Sequence, residues 1–486
     1  MFDKIVLVLY FLLMGILAIY CMHRLYLILI YNLYKDKKIK PIGKLKPLPF
    51  VTIQLPIYNE KYVVKRLIES ACKINYPKEK FEIQILDDST DETSEIASLL
   101  TKKFSKLGFN IYHIKRKNRI GFKAGALQYG LKLAKGDFIA IFDADFIIPE
   151  NFLLETIHYF KDPKVGLVQT CWDYINRDYS ILTRVQALML DAHFIIEHFS
   201  RNRSGKFFNF NGTAGIWRKK AIISAGGWSS DTLTEDLDLS YRAQLKGWRF
   251  IFLKDIKSYS ELPVEINSFK QQQHRWTKGA VETFFKIFPK VVKSNIPLGV
   301  KIEAFFHLGG NFSYLFLLLL AIIMYPAIIV RLNYGWYELL FTDIPLFFVS
   351  FFSIFLFYKK AIKEVNSKLN PFIYIPLLMA TCIGLSLNNA KAVMEAIFKI
   401  KTPFNRTPKF NVKSKSDKWF FKKYNVKINY LIIFELLMAA YFGYIIKFSI
   451  LRHNFFSIPF LMLFLTGFLL IFTTTVFHKF KMRSKG

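Results

Sequence analysis

The sequence predicts an α/β domain on a doubly wound, mostly parallel sheet, joined to an α-helical transmembrane bundle. Three observations predict it. Apolar residues gather in blocks at 5–34, 305–358, 371–400 and 429–477, whereas 40–300 reads as a water-soluble domain. Within that domain, short apolar strand patterns alternate with helical ones, the mark of a parallel sheet. Two acidic clusters fall at strand ends, where such sheets bind ligands.

The first block, Ile5 to Tyr34, is longer than the apolar core of a signal peptide and has no small-residue cleavage site. It reads as an anchor that stays attached. Lys35, Lys37, Lys38, Lys40, Lys44 and Lys46 follow it and place the next domain in the cytoplasm, because basic residues collect on that side of membrane proteins. Val51–Pro56 reads as a buried strand that ends on Tyr58-Asn59-Glu60, and an amphipathic helix follows to about Ile74. The strand Phe81–Leu86 ends on Asp87-Asp88-Ser89-Thr90-Asp91, and a helix runs from Glu92 to about Leu107. Ile111–Ile114 is a third strand and Ala124–Leu133 a helix. Asp137–Phe142 is a fourth strand, ending on Asp143-Ala144-Asp145.

Phe305–Val330 and Leu339–Tyr358 read as one pair of spans, and Tyr430–Ile450 and Phe455–Phe477 as another. A crossing by block 371–400 would leave outside the segment 391–428, with eleven Lys or Arg against two acidic residues. That block, with Asn388, Asn389, Lys391 and Glu395, is expected to lie on the inner surface as an amphipathic helix. The chain then crosses the membrane five times with every basic segment inside. It divides into an N-terminal anchor 1–39, a cytoplasmic domain 40–300 with interfacial helices at its end, and a membrane region 301–486.

The formal net charge of +32 fits this orientation. A nucleic-acid partner would call for a basic groove with base-stacking aromatics or a recognisable module, and neither occurs. The four cysteines form no CxxC pair, which argues against zinc and against a disulfide framework. No GxGxxG follows the first strand and no GxxxxGK[ST] occurs, so a bound nucleotide would need its phosphates neutralised by other means. A divalent cation on carboxylates is one route.

Asp143 and Asp145 follow a fully apolar strand that aims them at its end; alone, the motif is equally compatible with a solvated turn. Asp236-x-Asp238 is a second copy of the pattern. Asp87 and Asp88 can accept from a base N–H or cap the following helix. Lys123 stands near a helix start, where a cation can meet a diphosphate. In Thr234-Glu235-Asp236 a carboxylate can deprotonate an attacking hydroxyl, or the acids can serve the first turn of a helix. Gln272-Gln-His-Arg275-Trp276 joins an amide, a guanidinium and a flat aromatic face. It also suits an interfacial helix with a Trp anchor.

The order and spacing of these motifs resemble the inverting family 2 glycosyltransferases, whose pattern is D, DxD, TED and QxxRW. The chain is most similar to cellulose synthase and the plant cellulose-synthase-like mannan and glucan synthases. The resemblance runs from about Val51 to Lys409. It rests on Gln54-Leu-Pro-Ile-Tyr-Asn-Glu60, Leu86–Asp91, Asn118–Leu127, Ile141–Phe146, Phe210-Asn-Gly-Thr-Ala-Gly215, Thr234–Asp236 and Gln272–Trp276. It implies a GT-A catalytic domain that takes UDP-glucose or GDP-mannose and, with Mg²⁺ or Mn²⁺, extends a β-1,4-linked glucan or mannan.

By the same resemblance Asp236 is the general base, and Asp143 and Asp145 hold the metal. Asp87 and Asp88 meet the base of the donor, and Lys123, Gln272 and Arg275 its diphosphate. Trp276, Glu235, Gly212 and Thr213 lie toward the acceptor. Phe404-Asn-Arg-Thr407-Pro-Lys409, within 401–412, resembles the FxVTxK gating loop, with Arg406 in place of Val. The alternative within the family is a single transfer to a lipid acceptor, giving a β-glucosyl lipid. A non-catalytic scaffold is disfavoured because every acidic position of the pattern is filled. The sequence names no accessory subunit.

Overall fold

In the computed structural model, which describes residues 2–335, 338–402, 406–422 and 430–483, the soluble domain is a seven-stranded sheet. A helix α1 (Phe2–Tyr34) precedes it. β1 (Val51–Ile57), α2 (Val64–Ala71), β2 (Phe81–Asp87), α3 (Thr93–Lys106), β3 (Ile111–Lys115), α4 (Phe122–Leu133) and β4 (Phe138–Ile141) follow in strict alternation. Then come α5 (Phe152–Thr156), β5 (Val165–Tyr174), α6 (Ile181–Ala192), which continues through a π-helical stretch His193–His198 into α7 (Phe199–Arg203), β6 (Gly215–Arg218), α8 (Lys219–Ser224), α9 (Glu235–Leu245) and β7 (Arg249–Ser260).

The strand order is β3-β2-β1-β4-β6-β5-β7. β1 to β4 pair in parallel, and only β6 runs against its neighbours β4 and β5. Parallel strands covered on both faces bury even their polar residues. Thr52, Gln54, Glu82 and Gln84 are all at most 1% exposed, and they are held by cross-strand bonds such as Thr52 Oγ1 to Glu82 Oε1 at 2.7 Å. Trp217, fully buried in β6, packs edge-on against Phe210, Trp228 and Phe250.

After the sheet, α10 (Ile266–Lys293) and α11 (Leu298–Gly309) lead into α12 (Phe312–Asn333) and α13 (Glu338–Glu364). α14 (Pro371–Gly384), α15 (Ser386–Ile397), α16 (Leu431–Leu451) and α17 (Ile458–Arg483) complete the chain. Among the described residues, five helices are each long and apolar enough to cross a membrane: α1, α12, α13, α16 and α17. The block expected to form one interfacial helix is two helices that meet at 46°. The apolar α14 packs on α17, while α15, with Asn388, Asn389 and Glu395, packs on α10 and α12. α14 is mostly apolar, whereas α15 brings in Asn388, Asn389, Lys391 and Glu395.

Candidate active site

Four strands deliver acidic residues to one edge of the sheet. β1 leads to Glu60, β2 to Asp88, β4 to Asp143 and Asp145, and β7 to Glu261, and all five line one cavity of about 160 Å³. Its other walls include Tyr58, Arg119, Lys123, Gly212, Glu235, Asp236, Gln272, Arg275, Trp276, Arg406, Thr407 and Lys409. Most of the sequence-predicted site residues therefore share one space: Asp88, Asp143, Asp145, Lys123, Gln272, Arg275, Trp276, Glu235, Gly212, Thr407 and Lys409, together with Asp236. Phe404 lies outside the described residues.

The carboxylates of the first DxD pattern are each met by an ammonium group. Lys123 Nζ lies 2.5 Å from Asp143 Oδ1 and 4.0 Å from Glu235 Oε1, and it donates to the Gly212 carbonyl at 2.9 Å. Burial pulls this ammonium down, but Asp143 and Glu235 outweigh it and hold it above its ordinary pKa. Burial raises the Asp143 carboxyl against the opposing pull of Lys123. Lys409 Nζ lies 2.8 Å from Asp145 Oδ2 and also donates to the Glu261 carbonyl. Arg66 ties the same corner together, with bonds to the Asp145 carbonyl at 3.0 Å, Glu261 at 3.3 Å and Asn411 at 2.8 Å.

The second DxD copy behaves differently, and geometry explains it. Residues two apart on a helix point to opposite sides. Asp236, in the first turn of α9, faces the cavity. Asp238 is fully buried behind it, paired with Arg242 at 2.7 Å and Lys286 at 2.9 Å. Burial pushes the Asp236 carboxyl up to about 7, reinforced by Glu235 and opposed by Lys123. Gly212 has a left-handed φ of 79°, and a Cβ there would come within 3.0 Å of Asp236 Oδ2 and 3.3 Å of Lys123 Nζ. Only glycine suits both conditions.

Two predicted residues stand one layer back. Asp87 has no exposed side chain; His113 Nε2 lies 2.8 Å from it and the Ser89 N–H donates to it at 2.8 Å. Those bonds outweigh burial and hold its carboxyl below the ordinary range. Asp87 thus shapes the turn that presents Asp88, which is itself held by the Arg116 guanidinium, with Nε at 2.9 Å. Thr213 is buried, and its hydroxyl accepts from the Asp143 N–H at 2.9 Å, so it supports the acidic turn instead of lining the cavity.

Sequence reasoning gave no role to Glu60, Glu261 and Arg119. Arg406 donates to Glu60 Oε2 at 2.8 Å, and burial nonetheless raises the Glu60 carboxyl to about 8. The Arg119 guanidinium stacks 3.3 Å from the centre of the Tyr58 ring. Glu60 and Tyr58 sit inside a recognisable stretch, a signal that was present; Glu261 has none.

A second cavity, of about 570 Å³, meets the first at Asp236, Trp276, Trp172 and Asn211. It continues among α1, α12, α13, α14 and α17, between walls that include Met14, Leu17, Phe347, Phe357, Phe460 and Phe464.

Other proteins resemble this chain in sequence or in fold. The model of the family described as glycosyl transferase family group 2 matches residues 138–387. "Probable glucomannan 4-beta-mannosyltransferase 4" of Oryza sativa subsp. japonica is 44% identical over 271 residues, 55% of this chain and 49% of the relative. "Glucomannan 4-beta-mannosyltransferase 1" of Cyamopsis tetragonoloba is 42% identical over 267 residues, 54% of this chain and 50% of the relative. The chain spans about half the length of the curated relatives it matches. A solved structure, the mannosyltransferase PcManGT from Pyrobaculum calidifontis in complex with GDP-Man and Mn²⁺, overlaps 82% of this chain and 100% of its own. The TM-score is 0.55 at 17% identity, which is a likeness of fold.

Proposed function

The chain belongs to glycosyl transferase family group 2, and on that premise we propose that it is a membrane-bound inverting glycosyltransferase that extends a β-linked glycan of the mannan or glucan type. The observation that carries this reading is the position of Asp236 at the junction of a charge-lined cavity and a cavity that runs on into the membrane helices. The first suits a nucleotide diphosphate, and the second suits a product that leaves the site lengthwise. The likeness to glucomannan mannosyltransferases makes GDP-mannose the first donor to try and UDP-glucose the second.

Asp143 and Asp145 offer hard oxygen donors on one turn, and each already draws a cation, Lys123 or Lys409, to its carboxylate. That donor set fits Mg²⁺ or Mn²⁺. A divalent ion bound there would neutralise the diphosphate of the donor. The chain's own residues supply the rest. Asp236 accepts the proton of the acceptor hydroxyl as that oxygen attacks the anomeric carbon from the side opposite the diphosphate, so an α-linked donor gives a β-linked product. A carboxyl that titrates near pH 7 suits this role, being ionised enough to act and basic enough to take a proton. Lys123 and Arg275 face the leaving diphosphate and stabilise the charge it gains. Gln272 orients it, and Trp276 offers its face to the acceptor sugar where the two cavities meet. Asp88 and the Tyr58–Arg119 stack stand at the end of the cavity suited to the base.

We assign residues 40–300 to the catalytic domain and place it in the cytoplasm, from the lysines that follow α1 and the basic segments at the inner ends of α13 and α17. The membrane region 301–486 would carry the interfacial helix α15 and the loop 401–412, whose Thr407 and Lys409 line the cavity.

The test uses membranes that contain the protein, Mg²⁺ or Mn²⁺, and labelled GDP-mannose and UDP-glucose in parallel. A long product from one donor, cleaved by the matching endo-β-1,4-glycanase, is expected. A short product that partitions into organic solvent would replace this reading with transfer to a lipid acceptor.

A further inference from the structure

The membrane cavity is mainly apolar; His23, Arg24, Glu197 and Arg201 form one charged set in its wall, and its far end carries another. Arg331, near the end of α12, is 1% exposed, and its Nη1 donates to Asp343 Oδ2 on α13 at 2.6 Å. Its Nε donates to the Ala327 carbonyl at 3.0 Å. Tyr10 of α1 donates to the same Asp343 oxygen at 3.1 Å, and its ring centre lies 4.8 Å from the guanidinium carbon. All three line the cavity at the opposite end from Asp236 and Trp276.

Charged groups within spans are costly, face interiors and mark pathways. An apolar packing of the three helices would hold them together as well, because a buried ion pair stabilises little over apolar residues of similar size. A second observation bears on the pair. Asp343 Oδ1 is buried and, among the described residues, has no hydrogen-bond partner. A carboxylate oxygen left over beside a guanidinium fork and a tyrosine ring is a set that matches a sugar: the oxygen accepts from a hydroxyl, the fork donates to one, and the ring packs on the pyranose face. An acyl chain would satisfy none of these.

We propose that Tyr10, Arg331 and Asp343 form a carbohydrate-binding station at the outer mouth of the membrane cavity, which engages the hydroxyls of the departing glycan. The station rests on the reading given under Proposed function. Between it and Trp276 the walls are mainly hydrocarbon and aromatic, with Met14, Leu17, Phe347 and Phe464 offering no hydrogen bonds, so a glycan slides there and is gripped at the ends. Holding the exported end keeps the chain in line and resists its slipping back out of the site.

The experiment compares wild type with Asp343→Asn, Arg331→Met and the charge swap Arg331→Asp/Asp343→Arg, reconstituted in vesicles with the catalytic domain outward. Labelled donor is added outside. The initial rate of sugar incorporation, the product length, and the fraction of product cleaved by an endo-β-1,4-glycanase added outside are measured. Both single variants are expected to keep the initial rate within twofold while the product becomes at least threefold shorter and more accessible from outside. The swap, which keeps one acid and one guanidinium at the mouth, is expected to recover length. Wild-type length and protection in both single variants would overturn the station. So would a parallel fall of rate and length in all three variants, which marks a folding staple. A wild type that makes no polymer from either donor would instead overturn the function reading, and the station with it.

Discussion

The two cavities are built by opposite means. Around the first, nearly every charge has a named partner on a different element: Lys123 with Asp143, Lys409 with Asp145, Arg406 with Glu60, Arg116 with Asp88. Along the second, hydrocarbon and aromatic walls dominate, and the charged groups stand in separate sets, His23, Arg24, Glu197 and Arg201 in one and Arg331 and Asp343 in another. On the function proposed above, the difference would let one chain handle two kinds of ligand. A diphosphate must be met by fixed charges that cost no reorganisation when the bond breaks. A neutral polymer must be surrounded without being held, since every well-made hydrogen bond along the way would have to be broken again at each step.

That contrast can be broken where it should be strongest. Asp236→Asn removes the proposed proton acceptor from the junction, and sugar incorporation is expected to fall by about 10²–10⁴ while donor binding is kept, measured by initial rates and by equilibrium binding of labelled donor. Asp143→Asn and Lys123→Met, in the charged cavity, are expected to lower the rate by about 10²–10³ each. Chelation with EDTA should have an effect at least as large, reversed by Mg²⁺ or Mn²⁺.

The pH profile sharpens the same point. As the proposed proton acceptor Asp236 would work ionised, and burial raises its carboxyl to about 7. Below that value the group is protonated and inactive, so kcat/KM should drop about tenfold per pH unit on the acid side and level off above it. A profile flat down to pH 5 would show that another group takes the proton. Arg406→Ala frees Glu60 from its partner and removes one cation from the proposed donor pocket. About a tenfold rise in donor KM is expected with kcat changed less, at the scale of one charge-assisted hydrogen bond. Smallest of all should be Phe464→Leu in the hydrocarbon wall: initial rate within twofold and a stability loss under about 1.5 kcal/mol, read by thermal unfolding.

Much of this was legible in the sequence, for reasons that can be named. β1, β2, β3 and β4 announced themselves as short apolar runs, and each acidic cluster fell at a strand end, which is why Asp88, Asp143 and Asp145 meet in one cavity. The five long apolar helices were equally plain. What escaped detection depended on contacts made across the chain. Glu82 and Gln84 look like solvated positions but are buried in a ladder that forms only once both faces of the sheet are covered. Asp87 and Asp88 are adjacent and chemically identical, and only the pleat decides that one turns to His113 and the other to the cavity. Arg406 and Glu60 lie 346 positions apart, so nothing local in either stretch could pair them. The bend at Leu385 was hidden because apolar content alone does not distinguish a straight helix from two.

α10 carries Gln272, Arg275 and Trp276, and the same helix is fastened on its other sides. Lys270 reaches Glu435 of α16 at 2.6 Å and Thr475 of α17 at 2.8 Å. His274 lies 3.0 Å from Glu395 of α15, and Lys278 donates to Thr402 at 2.7 Å. Between the first of these fastenings and Trp276 there is less than two turns of unbroken helix, with no glycine or proline to absorb a displacement. On the proposed function, the depth at which α16 and α17 settle in a bilayer would therefore set the height of the tryptophan face under the sugar, and lipid thickness would become a variable of the chemistry.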